Sequence, residues 1–530
     1  MPRAVLVLLL PLLLAAGLMQ GASGAGGIAP DEPHRPRIHF TPSSGWMNDP
    51  NGLVFDHGVY HLFYQYYPAS TVWGPMHWGH ATSRDLVHWQ DQAIALYPQG
   101  SDYVFSGSAV VDADNSAGFG RGALVALFTN HDWSRDAARG EDSESQHLAY
   151  SVDGGLSFTR YAGNPVMPNP GGVKDIRDPK LFWHAPSHAW IAALAVGDHM
   201  ELWRSADLRR WTQLSEFGRE FGSHAGVWEC PDLFPLPLLD ADGKPTGETR
   251  WVLLQNIAVG APNGGSGTQY FVGNFDGRAF TLDPDFAGAV RDGHALWLDA
   301  GRDNYAGVTW GGLPHDERVM IGWMSDWDYA LKVPTGAWRG AMTLPTRLTL
   351  RRTPQGLRLF SWPVKSVEML RQRGAHLRPQ DIAGALDLVK ATQIAPSVSD
   401  MEFEFTRPDT GQVGVELANA RGERLRIGFD ATRNAFFVDR RQAGDAGFSD
   451  KFAPGIDWAA RVSDQATVRL RVVFDVASAE LFADGGAVRM TETFFPSADF
   501  DRARLFAEGG PLQLRAGTVY ALRRTVPPQR

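Results

Sequence analysis

A chain of 530 residues is longer than one hydrophobic core can serve, so at least two domains are expected, and 44% hydrophobic residues exclude general disorder. The 50 basic against 59 acidic residues give a formal charge of -9, which leaves no basic footprint for phosphates and points to a neutral partner rather than nucleic acid. The only cysteine is Cys230, so no internal disulfide can form and stability must come from burial.

The chain opens with Met1-Pro2-Arg3, an apolar run from Ala4 to Met19, and the small residues Gly21 to Ala25. That order is a secretory signal peptide over residues 1–25, cleaved near Gly24 or Gly26, because the run is short for a bilayer span. An exported protein, periplasmic or extracellular and free of the membrane after cleavage, is expected.

From His39 onward, short strand-like runs alternate with Gly, Pro, Asn and Asp turns, and no long amphipathic helical pattern precedes Pro363. The fold class is all-β. In Trp46-Met47-Asn48-Asp49-Pro50-Asn51-Gly52, one carboxylate sits inside a turn forced by its neighbours, next to a tryptophan whose flat face suits a sugar ring.

A weak repeat follows: Ser83-Arg84-Asp85 with Trp89, Ser151-Val152-Asp153 with Phe158, Ser205-Ala206-Asp207 with Trp211, and Asn274-Phe275-Asp276 with Phe280. In each, Asp is expected to accept bonds from turn amides while the aromatic packs under a hairpin. Recurrence every 54 to 69 residues suits a four-stranded blade plus loops. With the strands around Val319 to Trp323 this predicts a five-bladed β-propeller over residues 36–350, its fifth blade closed by the N-terminal strand.

Asp49, Ser106, Asp178 and Glu229 each precede one repeat, which places each on an early strand of its own blade, facing the central channel. Residues 351–376, punctuated by Pro354, Gly356 and Pro363, read as a linker with a short helix near Ser366 to Arg373. Period-two runs such as Met401 to Phe405 and Val468 to Phe474 then predict a C-terminal β-sandwich over residues 377–526. Its charged positions are expected on solvated strand faces.

Cleaving a glycosidic bond needs one carboxylic acid to protonate the leaving oxygen and one carboxylate across the reacting carbon. Glu229, between Trp228 and Cys230, is expected in an apolar setting that favours its protonated form, as a general acid requires; Asp49, in a polar turn, suits the nucleophile. Asp178, beside Arg177, is expected to stay charged, holding substrate hydroxyls and supporting the transition state. Asp232 is expected to be structural. His77 and His80 lack a third ligand at a useful spacing, so no metal is expected.

Trp46 to Gly52, Phe105-Ser106-Gly107-Ser108, Arg177-Asp178-Pro179 and Trp228-Glu229-Cys230-Pro231-Asp232, in that order, resemble glycoside hydrolase family 32, the invertase, inulinase and levanase family. The resemblance covers about residues 36 to 525 and implies the same catalytic roles, with no cofactor. It further implies substrate contacts at Asn48, Gln65, Trp73, Phe105, Ser106 and Trp338, with Trp46 and Arg177 in the same site.

Tyr67, Asn304 and Ser325-Asp326 depart from the family pattern around the site and bear on substrate preference. The implied activity is release of fructose from fructans or sucrose by a retaining mechanism, with an oligo- or polysaccharide as partner. The alternatives are a fructosyltransferase of the same chemistry, an inverting arabinanase-like hydrolase, and a propeller that binds fructan without turnover.

Overall fold

The computed structural model describes residues 32–135, 142–314 and 317–525; the expected signal segment lies outside them. Twelve strands form the first three propeller sheets. They are β1 (Gly45–Asp56), β2 (Val59–Tyr67), β3 (His77–Ser83) and β4 (Trp89–Asp91); β5 (Asp102–Asp112), β6 (Ala123–Asp132), β7 (Glu144–Ser151) and β8 (Thr159–Arg160); then β9 (Ile176–His184), β10 (Ala189–Val196), β11 (His199–Ser205) and β12 (Thr212–Phe217). Each set is an antiparallel meander in chain order.

The next set is β13 (Trp228–Leu239), β14 (Pro245–Ile257), β15 (Gly267–Phe275), β16 (Phe280–Leu282) and the short β17 (Leu296–Trp297). Then come β18 (Tyr305–Thr309), β19 (Val319–Trp323), β20 (Trp338–Arg339), β21 (Thr346–Thr353) and β22 (Gly356–Pro363).

The repeat makes the same turn each time, between the third and fourth strands of a sheet. Asp85 Oδ1 accepts from the His88 amide at 2.8 Å, Asp153 from Ser157 at 3.0 Å, Asp207 from Arg210 at 2.9 Å and Asp276 from Ala279 at 2.8 Å. A side-chain acceptor satisfies amides that the turn removes from the ladder. Beneath these turns the aromatics pack inward: Phe158 lies edge-on to Phe63 with centroids 5.5 Å apart, and Phe280 is buried.

Two expectations change here. The N-terminal strand does not close the last blade: β1 begins the first sheet and meets later strands through its parallel pairing with β20 and a bridge from Val54 to Gly311. β18, β19, β21 and β22 are hydrogen-bonded to the fourth set, through parallel pairing of β13 with β21 at Leu238 and Leu350. The stretch 351–376 is not a linker in the main, because β21 and β22 form a hairpin within the propeller. The crossing is a single helical turn, Lys365–Glu368, and the strand Arg371–Leu377 already belongs to the next domain.

That domain packs a seven-stranded sheet on a six-stranded one, and its core is filled by their inward residues, among them Phe405, Leu417, Phe429 and Leu481. The two domains share apolar packing: Val473, Phe482 and Leu522 of the sandwich cluster with Trp310, Trp323, Leu344 and Val364.

Several sandwich charges expected in solvent are buried at this junction. His39 is bonded by Asp475 at 2.8 Å and Glu480 at 2.9 Å, while Arg440 pairs with Asp303 at 2.6 Å and donates to Tyr329 Oη at 3.0 Å. Strand alternation told which face each charge occupied, but not that a second domain would cover that face. No helix among the described residues is long and apolar enough to cross a membrane.

Candidate active site

Asp49 lies on β1, Ser106 on β5, Asp178 on β9 and Glu229 on β13, the first strand of each set, and every one coincides with a break in strand register. The breaks fall between Met47 and Pro50, between Val104 and Gly107, at the Arg177–Lys180 stretch facing Ala193 to Ala195, and between Glu229 and Asp232. Pro50, Pro179 and Pro231 have no N–H to give the ladder, so three of these breaks are written into the sequence. Asp178 and Cys230 take left-handed backbone, with φ of 63° and 44°. Bulges re-aim side chains, and here they turn the acids out of strict alternation toward a common centre.

The acids are held by different partners. Ser106 Oγ donates to Asp49 Oδ2 at 2.8 Å and Asn48 Nδ2 to Asp49 Oδ1 at 3.0 Å. Cys230 joins two acids: its amide donates to Asp178 Oδ2 at 3.0 Å, and its thiol lies 3.5 Å from that atom and 3.6 Å from Asp49 Oδ2. Glu229 stands apart from this pair. Arg177 Nε and Nη2 donate to its Oε1 at 3.2 and 3.1 Å, and the Tyr305 hydroxyl donates to its Oε2.

The surroundings expected for the acids are therefore partly reversed. Glu229 sits among polar donors rather than apolar side chains, because Trp228 is buried in a hydrophobic cluster and the Cys230 thiol turns to Asp178 and Asp49. Burial, with the Glu229 charge, pushes the Asp49 carboxyl up, while bonds from Ser106, Asn48 and Cys230 pull it back.

Asp178 is also pushed up, because its burial outweighs the pull of Arg177, whose guanidinium is bonded to Glu144, Asp175 and Glu229 and not to Asp178. Asp232, across the bulge, is fully buried and bonded to Lys180 and the Thr309 amide, a structural role as expected.

Asn48, Asp49, Gln65, Trp73, Phe105, Ser106, Arg177, Asp178 and Glu229 line one cavity of about 520 Å³. Trp46 and Trp338 do not. Trp46 is fully buried, 5.9 Å from the parallel ring of Trp327, and its Nε1 donates to Asn48 Oδ1 at 2.7 Å, so it supports Asp49 at one remove. The ring that faces the cavity is Trp327. Trp338 is buried beneath Arg35, whose guanidinium lies 4.9 Å from its ring, since the parallel β1–β20 pairing carries it away from the opening.

The cavity has further walls that local sequence did not reveal: His131, Trp133, Glu144, Asp175 and Leu331, with Tyr305 reaching Glu229. Tyr305 had one signal, its place in the Asp303-Asn304-Tyr305-Ala306 stretch that departs from the family pattern. A second, much smaller cavity of about 10 Å³ adjoins the acids, lined by Gly52, Gly107, Pro179 and Pro231 together with Ser106, Asp178 and Cys230, with room for no more than a water.

The family model for the glycosyl hydrolases family 32 N-terminal domain matches residues 39–363, and that for the family 32 C-terminal domain matches residues 366–521. The chain belongs to glycosyl hydrolase family 32. Among relatives of this family 32 enzyme, a levanase from Bacillus subtilis (strain 168) is 40% identical over 500 residues, covering 93% of this chain and 71% of the relative. An extracellular exo-inulinase from Aspergillus niger is 37% identical over 512 residues, covering 91% and 93%.

Solved family 32 structures extend the likeness to three dimensions. The crystal structure of an exo-inulinase from Aspergillus awamori has a TM-score of 0.86 at 34% identity, over 93% of this chain and 99% of that one. That of a β-fructofuranosidase from Schwanniomyces occidentalis, complexed with fructosyl-erythritol, has 0.81 at 30%, over 94% and 99%.

Proposed function

We propose that this family 32 enzyme, after export, releases fructose from the non-reducing ends of β-fructofuranosides such as levan, inulin and sucrose, by double displacement with retention. The observation that carries this reading is the arrangement of three acids from three separate sheets on one cavity: Asp49 and Asp178 bridged by Cys230, and Glu229 held by Arg177 and Tyr305.

Asp49 attacks the anomeric carbon as the bond to the leaving oxygen breaks, and that oxygen takes the proton of Glu229. Glu229 then removes a proton from water, which displaces Asp49 and frees fructose. Asp178 receives the sugar hydroxyls and supports the charge that develops on the ring. The funnel of a propeller accepts a chain terminus more readily than a chain middle, which favours single fructose units as product. The names of the relatives, levanase and exo-inulinase, agree with that substrate class.

Two variants test the roles. Asp49→Ala abolishes turnover on all fructosides, whereas Glu229→Gln keeps attack on a substrate whose leaving group needs no proton, with azide restoring breakdown of the intermediate. Chromatography of early products from levan, inulin and sucrose tests the end-release. Long oligosaccharides at early times would overturn it, and transfer to sugar at the expense of free fructose would favour the fructosyltransferase.

A further inference from the structure

One wall of the cavity carries a fourth carboxylate that the roles above leave unused. Glu144, at the start of β7, is buried and accepts from Arg177 Nη1 at 2.9 and 3.2 Å, from the Ile176 amide at 2.8 Å and from His131 Nδ1 at 3.2 Å. Asp175 takes the same Nη1 at 2.7 Å. The guanidinium is thereby divided: Nη1 is given to Glu144 and Asp175, and Nε and Nη2 to Glu229.

This division matters because a lone arginine on Glu229 would hold it as a carboxylate, the wrong form for a group that must donate a proton. Two further fixed negative charges on the same guanidinium offset that pull. We propose that Glu144 is a positioning residue for the reaction, acting through Arg177 both to orient Glu229 and to keep its proton available. The proposal rests on Glu229 being the general acid.

The charged and titratable groups around Glu229 are Arg177 and Asp178 on β9, Lys174 and Asp175 just before it, Asp49 on β1, His131 on β6, Cys230 on its own strand and Tyr305 on β18. Glu144 is the one that β7 contributes. Burial opposes its ionisation, yet Arg177, His131 and the Ile176 amide together hold the Glu144 carboxyl below its ordinary value, so the charge is present throughout the neutral range. His131 ties the same carboxylate to the wall, since its ring stacks on Phe105 with centroids 4.6 Å apart.

Glu144→Gln is nearly isosteric and keeps an oxygen for the Ile176 amide, so it removes charge with little change of shape. It transfers more of the Arg177 charge to Glu229. The general acid then loses its proton at lower pH, and the alkaline limb of kcat/KM on sucrose moves down by about one pH unit. At a fixed pH on that limb the loss is about tenfold on sucrose and smaller on β-fructosyl fluoride, whose leaving group needs no proton. Glu144→Asp, which restores the charge, returns the limb toward that of the parent.

An unshifted limb in Glu144→Gln, or an equal loss on both substrates at every pH, would overturn the proposal by reducing Glu144 to a packing role. Glu229→Gln is measured alongside. If it too treats the two substrates alike, the assignment of Glu229 fails and the proposal falls with it; if it discriminates while Glu144→Gln does not, only the proposal fails.

Discussion

His39 is the group whose ionisation most directly joins the two domains. It lies near the N-terminus of the propeller, is fully buried, and gives one ring nitrogen to Asp475 and the other to Glu480, both on the sandwich. Those carboxylates are engaged further, Asp475 by the Arg37 and Ile38 amides and Glu480 by the Leu344 amide and Arg489. Burial works against an imidazolium here, but the two carboxylates prevail and raise His39 from 6.5 to about 9.

A rise from 6.5 to about 9, at about 1.4 kcal/mol per pH unit, corresponds to about 3–4 kcal/mol of stability. Because the folded value lies above the unfolded one, this stability is fully present below about pH 6.5 and is lost as pH rises through about 9. Asp475 and Glu480 have the opposite sign: both are depressed, although burial opposes it, by bonds that include His39, so their contribution is present above the ordinary carboxylate range and lost in acid.

The assay is thermal and denaturant unfolding from pH 6 to 10, for the parent and for His39→Gln. The parent is expected to lose about 3–4 kcal/mol across that range beyond whatever the variant loses. The variant is expected to be weaker already at pH 6, by about 3–5 kcal/mol, since two buried carboxylates lose their cation. Parallel stability curves for the two proteins would refute the reasoning.

Three further outcomes are expected. Cys230 is buried and its thiol is pushed up by burial and by the carboxylates around it, so the folded enzyme should resist iodoacetamide and be alkylated only on unfolding; rapid native labelling, read by mass spectrometry, would contradict this. Trp338→Ala should lower unfolding stability by about 3–5 kcal/mol with little change in KM, whereas Trp327→Ala should raise KM, because only the second ring faces the cavity. A chain ending at Pro363 should unfold at lower temperature or aggregate, since Trp310, Trp323 and Leu344 would lose their packing against Val473, Phe482 and Leu522; a soluble, equally stable product would count against the shared core.

The parts of this enzyme that the sequence made legible are those encoded locally. The Ser/Asn-x-Asp turns, the alternating strands and the proline after each of the three acids' motifs all act within a few residues, so the propeller repeat and the convergence of Asp49, Asp178 and Glu229 are legible in the sequence. What could not be read was contact between distant strands. Trp46 resembled a sugar platform because its neighbours are functional, yet the register of β1 buries it and presents Trp327 instead.

Glu229 looked apolar in its environment from Trp228 and Cys230, but a strand sends those neighbours to other sides, and its true partners come from β9 and β18. Glu144 gave no signal at all, being one more acid on an edge of alternating residues. Asp475, Glu480 and Arg440 looked like solvated strand charges for the same reason, their covering surface lying in the other domain.

In the proposed mechanism Asp49 carries the fructosyl group. Rapid acid quench of Glu229→Gln during turnover of β-fructosyl fluoride, followed by proteolysis and peptide mass spectrometry, tests it most directly. One hexosyl residue of added mass is expected on the peptide containing Asp49, lost when azide is added before the quench. Label on another carboxylate, or no label together with an inverted sugar product from the parent enzyme, would contradict it.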